Sequence, residues 1–278
     1  MHTDFMTLGL FRWLNLKSSL GSTFRLMRLV TVAAIAFQIP LANSQVSVLS
    51  WHYDNARSGV NSSETLLTPS NVTKTGFGKI FTQRADGYVV GHPLYVPGLN
   101  ISGKGVHNVL FVATMHDSVY AFDADNATGA NASPLWMTSL LNYSSAGATP
   151  VPISVVGCGS ETAWTEVGVI STPVIDPRND TIYVVAETYE SSKIVHRLHA
   201  LDITTGAEKF GSPVTIAASF TSSAGTSTFL SAKQINRPGL LLVNGHIYIA
   251  FGSNGCNNGN QGWILSYNAF NSSAGRYV

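Results

Sequence analysis

The stretch Val109-Leu-Phe-Val-Ala-Thr-Met-His-Asp-Ser-Val-Tyr-Ala-Phe-Asp123 decides the fold. Apolar and β-branched residues alternate with small or polar ones on both sides of a short break at His116-Asp117. That is the period of two half-buried strands joined by a tight hairpin. The phrase returns twice. Thr181-Ile-Tyr-Val-Val-Ala-Glu-Thr188 is followed, after a longer connection, by Val195-His-Arg-Leu-His-Ala-Leu-Asp202. His246-Ile-Tyr-Ile-Ala-Phe-Gly-Ser253 is followed by Gly262-Trp-Ile-Leu-Ser-Tyr-Asn268. A unit this small cannot bury a core alone, so the copies must stack on one another.

Each copy extends in both directions. Upstream lies an apolar strand entered through proline: Gly91-His-Pro-Leu-Tyr-Val96, Ser171-Thr-Pro-Val-Ile-Asp176 and Asn236-Arg-Pro-Gly-Leu-Leu-Leu-Val243. Proline is tolerated there because the first residue of a strand owes no ladder donor. Downstream, a turn leads to a fourth strand, at Pro134-Leu-Trp-Met-Thr-Ser-Leu140 in one unit and Gly206-Ala-Glu-Lys-Phe210 in the next. Asp202-Ile-Thr-Thr-Gly206 has the Asp and Gly that such a turn requires. Four antiparallel strands per repeat predict an all-β chain built as a β-propeller. About three blades lie within residues 45–278, with the third unit ending after its third strand. Phe77-Gly-Lys-Ile-Phe-Thr82 reads as a separate outermost strand. Three blades are fewer than the four to eight that close a ring, so the ring is expected to be incomplete: the sequence is a fragment, a truncated gene model, or a chain that needs partners to close its edges.

Bulk composition narrows the partners. Only 11% of the 278 residues are charged and the formal net charge is +1, against ~25% charged in an average soluble protein. There is no electrostatic case for nucleic acid. Residues 1–44 read as an N-terminal extension plus a secretory signal. Arg25 and Arg28 precede the apolar run Leu29–Phe37, and Ala42-Asn-Ser44 offers small residues for cleavage ahead of Gln45. The run is shorter than the ~20 residues of a spanning helix, so no membrane span is expected after cleavage; an uncleaved anchor is the alternative. Met27 would serve as a more ordinary start than Met1. Asn61, Asn71, Asn100, Asn126, Asn131, Asn142, Asn179 and Asn271 each begin an N-x-Ser/Thr sequon, which fits a secreted glycoprotein. Secretion would permit a disulfide between Cys158 and Cys256; two free thiols are the other reading.

The phrases Val119-Tyr-Ala-Phe-Asp-Ala-Asp125 and Leu198-His-Ala-Leu-Asp-Ile-Thr-Thr-Gly206, with Trp136 in the following strand, resemble the repeat of quinoprotein propellers. Phe210 replaces the tryptophan in the second unit. The opening Trp51-His-Tyr-Asp-Asn-Ala-Arg-Ser-Gly59 and Glu64-Thr-Leu-Leu-Thr-Pro-Ser-Asn71 resemble secreted pyrroloquinoline-quinone repeat proteins. The resemblance covers roughly residues 50–270. It implies a propeller fold and, in the catalytic members, a quinone beside calcium under an adjacent Cys-Cys pair. This chain has no such pair, and the family's calcium-binding Glu, Asn and Asp have no clear match.

In a propeller, the starts of the inner strands and the hairpins between second and third strands share one face. That geometry collects His92, Thr172 and Arg237 with the hairpin residues His116, Asp117, Glu187 and Asn254, and with the loop carrying Cys158, Glu161 and Glu166. A concave face with convergent polar groups is the default ligand site. Each residue has a plainer role open to it: Asp117 capping its own turn, Arg237 pairing with Glu166 to staple blades, Glu187 solvated in a long connection. Asp123-Ala-Asp-Asn126 carries calcium-loop-like oxygens but coincides with the repeat's ordinary turn, so no metal is assigned. Two functional readings follow. One is a non-catalytic module binding a protein or glycan on the polar face. The other is a quinone-dependent oxidoreductase of sugars or alcohols, with pyrroloquinoline quinone and calcium as cofactors.

Overall fold

The computed structural model describes residues 45–144, 147–156, 164–223, 225–254 and 261–277, with the backbone alone for 271–277. No α-helix occurs among them. Blade 1 is an antiparallel sheet of β1 (Leu94–Ile101), β2 (Gly105–Ala113), β3 (Ser118–Asp123) and β4 (Trp136–Ser139), in that spatial order. Blade 2 is entered through β5 (Thr149–Pro152) and β6 (Glu166–Val167). Its body is β7 (Val174–Asp176), β8 (Thr181–Glu190), β9 (Lys193–Asp202) and β10 (Val214–Thr215). A small hairpin, β11 (Ser219–Ser222) and β12 (Gly225–Thr228), leads to blade 3. That blade comprises β13 (Gln234–Ile235), β14 (Leu241–Val243), β15 (His246–Ser253), β16 (Trp263–Asn268) and β17 (Asn271–Tyr277). The chain is a β-propeller of four-stranded blades, three of them present.

Four expectations need correction. The segment 77–82 forms no strand. Ile80 is 88% exposed and Phe77 60%, so the alternation there has no sheet to serve. The third unit does have its fourth strand, because β17 pairs with β16 through Leu265–Tyr277 and Ser266–Arg276. In blade 2 the outer position belongs to β10, which pairs with Leu198 and Arg197. Glu208 makes only an isolated bridge to Leu201. Its carboxylate accepts from the Ser212 hydroxyl and meets the His199 ring, so the segment bends inward before the outer strand begins. Finally, the connection after Thr188 is itself strand. β8 runs to Glu190 and returns at Lys193 over Ser191 and Ser192, whose φ values of 47° and 63° are those of a two-residue hairpin turn.

Alternation explains the stacking. On β8, Ile182, Val184 and Ala186 join Leu94, Phe111, Val119 and Trp136 in the core between blades 1 and 2. The intervening Tyr183 and Val185 join Ile247, Ile249, Phe251 and Tyr267 in the core between blades 2 and 3. Successive side chains of one strand thus serve opposite interfaces. The repeat's tryptophan does the same between turns. The Trp136 Nε1–H donates to the Ile203 carbonyl at 2.9 Å. Gly206, at φ +75°, lies so close that a Cβ there would sit 2.7 Å from the indole. In the Asp123 turn, the carboxylate accepts from the amides of Asp125 and Asn126, each at 2.8 Å, and from Asn131 Nδ2 at 2.8 Å. The turn consumes its own oxygens.

Candidate functional site

The inner strands of all three blades are tied together by the segment 48–58. Val48 exchanges backbone hydrogen bonds with Tyr95 of β1 at 2.8 and 2.9 Å, and the Leu49 carbonyl accepts from the Ile175 amide of β7 at 2.8 Å. Asn55 Nδ2 donates to the Leu242 carbonyl of β14 at 3.0 Å. Arg57 donates to the carbonyls of Trp51 at 2.9 Å, Leu240 at 3.1 Å and Gly239 at 3.4 Å. The strap bends through positive φ at His52 (58°), Tyr53 (69°) and Arg57 (58°). Asp54 holds the bend by accepting from the Ser58 amide at 3.1 Å and from its hydroxyl. Backbone conformations this costly persist where surrounding contacts over-determine them.

The strap separates two clefts along the inner strands. On the side of the β2–β3 hairpin lies a cleft of about 520 Å³. Its walls carry Trp51 and Arg57 from the strap, His92 and Thr172 from the inner-strand entries of blades 1 and 2, and Arg237 from that of blade 3. Val90, Ile170, Pro238 and Gly239 supply the apolar remainder. Thr172 fixes the join, since its hydroxyl accepts from the His92 amide at 2.9 Å and its carbonyl from the Leu240 amide at 2.9 Å. Beyond the strap is a smaller cleft of about 290 Å³, bordered by Leu49, Tyr53, Asn55, Val174 and Leu242. The expected convergence of His92, Thr172 and Arg237 is therefore present, and the strap residues Trp51 and Arg57 join them. The repeat could not have announced those two, because they lie outside it.

The hairpin residues form a different, largely closed set. His116 Nδ1 meets Glu166 at 3.0 and 3.2 Å. Glu166 is thus held by His116, and the alternative of an Arg237–Glu166 staple is not what forms. Asp117 does not cap its turn. Thr114 takes that role, its hydroxyl accepting from the His116 amide at 3.2 Å. The Asp117 carboxyl is instead fully buried, and neither oxygen has a hydrogen-bond partner. Burial raises its pKa well above the ordinary value, and the charges of Glu187, Glu166 and Asp86 add to the rise. The Glu187 amide opposes it only from beyond normal hydrogen-bond reach. Gly168 backs this carboxyl so closely that a Cβ would stand 2.8 Å from Oδ1.

Glu187 is buried in β8 rather than solvated, 3.4 Å from the His196 ring directly across the hairpin. That ring also meets Phe229 and Phe251 edge-on at 6.0 and 5.2 Å. Asn254 is buried, its backbone N–H donating to the Lys233 carbonyl at 2.9 Å. Asp86, whose carboxylate accepts from Thr114 and Ser118 at 2.8 and 2.7 Å, and His196 complete the set. Strand alternation would have found His196, but nothing in the repeat points to Asp86. Cys158, Cys256 and Glu161 lie outside the described residues.

No family model matches the chain, and no curated protein matches it. Among solved structures it resembles quinohemoprotein alcohol dehydrogenase from Comamonas testosteroni, with a TM-score of 0.50 and 16% identity over 85% of this chain and 28% of that one. A quinohemoprotein alcohol dehydrogenase from Pseudomonas putida HK5 (TM-score 0.38, 11% identity, 67% of this chain and 31% of that one) and a europium-containing methanol dehydrogenase (TM-score 0.38, 16% identity, 68% and 26%) lie further off. The chain spans less than a third of the length of these proteins. The first likeness shows the β-propeller fold.

The residues described do not fit the quinone–calcium pair that this fold family uses. A calcium ion takes six to eight oxygens, largely from ionised carboxylates and carbonyls. Among the described residues, no group of three or more His, Cys, Asp or Glu side chains is placed to hold a metal. The adjacent Cys-Cys pair is absent from the sequence.

Proposed function

We propose that this chain is a secreted, non-catalytic propeller module that binds an extracellular ligand in the cleft between Trp51 and Arg237. One observation carries the reading. The ionisable groups lining the cleft are Arg57, His92 and Arg237, which gives recognition groups and no nucleophile paired with a base. Acid–base or nucleophilic chemistry needs such a pair within hydrogen-bond reach. The carboxyls of Asp117 and Glu187 are buried at the junction between blades, and the partly exposed His116–Glu166 pair at its edge lies outside the cleft.

Secretion and glycosylation belong to the same proposal. Asn100, Asn126 and Asn142 are exposed at a strand end, in a turn and on a short 3-10 turn, where a glycan is accommodated without loss of packing, whereas the exposed Asn71 spends its side-chain amide on the Leu66 carbonyl at 2.6 Å. Asn179 and Asn131 are half-buried, with their amides donating to Tyr183 and Asp123, and are poorer acceptors. No helix among the described residues is long and apolar enough to cross a membrane. The fold likeness alone favours a second reading, a quinone-dependent oxidoreductase.

One experiment separates the two. Purified full-length protein is mixed with pyrroloquinoline quinone and calcium, and absorbance, melting temperature and dye reduction with alcohols or sugars are followed. The binding-module reading expects no bound quinone spectrum and no turnover. A quinone band together with dye reduction overturns it.

A further inference from the structure

Resting on the cleft being a binding site, we propose that its ligand is a carboxylate-bearing sugar, a uronate unit of an acidic extracellular glycan. The charge distribution is the first ground. The chain as a whole is nearly neutral, at +1, yet this cleft concentrates two guanidinium groups and an imidazole with no Asp or Glu in its walls. Two other clefts differ: the one beside the N-terminal arm includes Glu64 and Asp125, and the one beyond the strap includes Asp54. The cleft beside β12 has Lys233 and likewise no carboxylate, but among the clefts described only the one at Trp51 sets two guanidinium groups and an imidazole together.

The second ground is the state of the two arginines. Arg57 is half-buried and held by three carbonyls, which fixes the guanidinium while using three of the five N–H donors the group carries. A fixed, partly desolvated guanidinium suits a planar carboxylate, because little side-chain entropy remains to be lost on binding. Arg237 is exposed at the opposite wall, and among the described residues no carboxylate pairs with it. Its charge is available to a ligand.

The third ground favours a sugar over an acidic peptide. Trp51 remains 39% exposed at the cleft wall, and its ring is positioned by contacts with the His52 ring, 3.9 Å away between centroids, and with the Arg57 guanidinium, 5.5 Å from its centroid. Together with Val90, Ile170 and Pro238, it gives an apolar wall of fixed shape beside the cations. A uronate presents the matching pair of surfaces, an apolar C–H ring face and a carboxylate at its edge. The volume of about 520 Å³ lies within the range of small-ligand sites, roughly 300–1,000 Å³.

The test uses the full secreted chain and oligogalacturonates of two to six units, followed by isothermal titration at low and physiological salt. Saturable binding is expected, weakened about tenfold by Arg237→Gln, partly restored by Arg237→Lys, and unchanged by Lys104→Gln, which removes one positive charge from an exposed turn elsewhere. Methyl-esterified oligomers keep the sugar and lose the charge, and are expected not to bind. Equal binding of the methyl ester overturns the carboxylate inference and leaves the glycan-binding reading in place. Equal or tighter binding of a poly-glutamate peptide replaces the sugar with an acidic protein. Failure of every oligosaccharide and peptide overturns the inference. If quinone binding appears instead, the binding-module reading falls with it.

Discussion

Blades 2 and 3 carry the same hairpin phrase in different surroundings. β8 of blade 2 is buried at nine of its ten positions, whereas β15 of blade 3 alternates between buried and half-exposed residues. Tyr183 and Tyr248 occupy equivalent third positions of the phrase. The first is fully buried and donates its hydroxyl to the Ala269 carbonyl, while the second stands partly in solvent. Burial also pushes the Tyr183 phenol up to about 12. The same residue in the same motif is thus a core element in one blade and a surface element in the next. Both faces of β8 are covered, one by the core shared with blade 1 and the other by the core shared with blade 3, and such contacts between blades are not written in the local sequence.

The largest effect should come from breaking that difference directly. Tyr183→Ala is expected to cost ~3–5 kcal/mol in urea unfolding, as for other large-to-small core changes, with Tyr248→Ala under ~1 kcal/mol. Equal costs would mean that blade 2 is not held from both sides.

Next is the edge of the same hairpin. Glu190 accepts from Arg197 Nη2 at 3.0 Å and from the Thr188 and Ser144 hydroxyls at 2.7 and 2.8 Å. Burial alone would raise its pKa, but these donors together pull it down to about 2. Its stabilisation is present above its ordinary value of 4.5 and is lost as the pH falls toward about 2. Glu190→Gln should cost ~1.5–3 kcal/mol at neutral pH, the range for hydrogen bonds to charged groups, and very little at pH 2. A cost that persists in acid would refute the assignment.

Gly206→Ala sharpens the comparison at the other interface. The left-handed backbone alone costs ~1–3 kcal/mol for a non-glycine residue, and the indole of Trp136 blocks the Cβ. A lowered melting temperature with changed tryptophan fluorescence is expected.

The smallest effect is of opposite sign in pH. Asp117 has its pKa raised by burial, so its contribution is present below the ordinary 3.8 and is lost as the pH rises through the raised value. Asp117→Asn should flatten that decline, leaving the variant at least as stable as the parent at pH 8. A variant less stable at every pH would show that the carboxyl is ionised and paired.

The hairpins, the proline-entered inner strands and the Asp202–Gly206 turn were legible because period and turn chemistry are local, whereas the packing of Trp136 on that turn spans 67 residues and was not. The strand extension past Thr188 to Glu190, returning at Lys193, was not legible either, since β8 continues there through polar and charged residues that only their partners across the hairpin account for. The segment 77–82 failed for the reverse reason, an alternating pattern with no sheet beside it. Of the site, His92, Thr172 and Arg237 followed from propeller geometry. Trp51 and Arg57 did not, because they enter through long-range hydrogen bonds from a non-repeating segment.

That segment also bears on how the chain reaches its native state. Asn55 and Arg57 meet backbone more than 180 residues further along. Contacts of such separation form only after a large loop has closed, which makes them slow and late. Each blade can assemble from neighbours in sequence, while the cleft awaits its final wall until blade 3 is in place. A newly made chain should therefore acquire its sheets before it acquires affinity, and the ligand site should report the completion of folding rather than its onset.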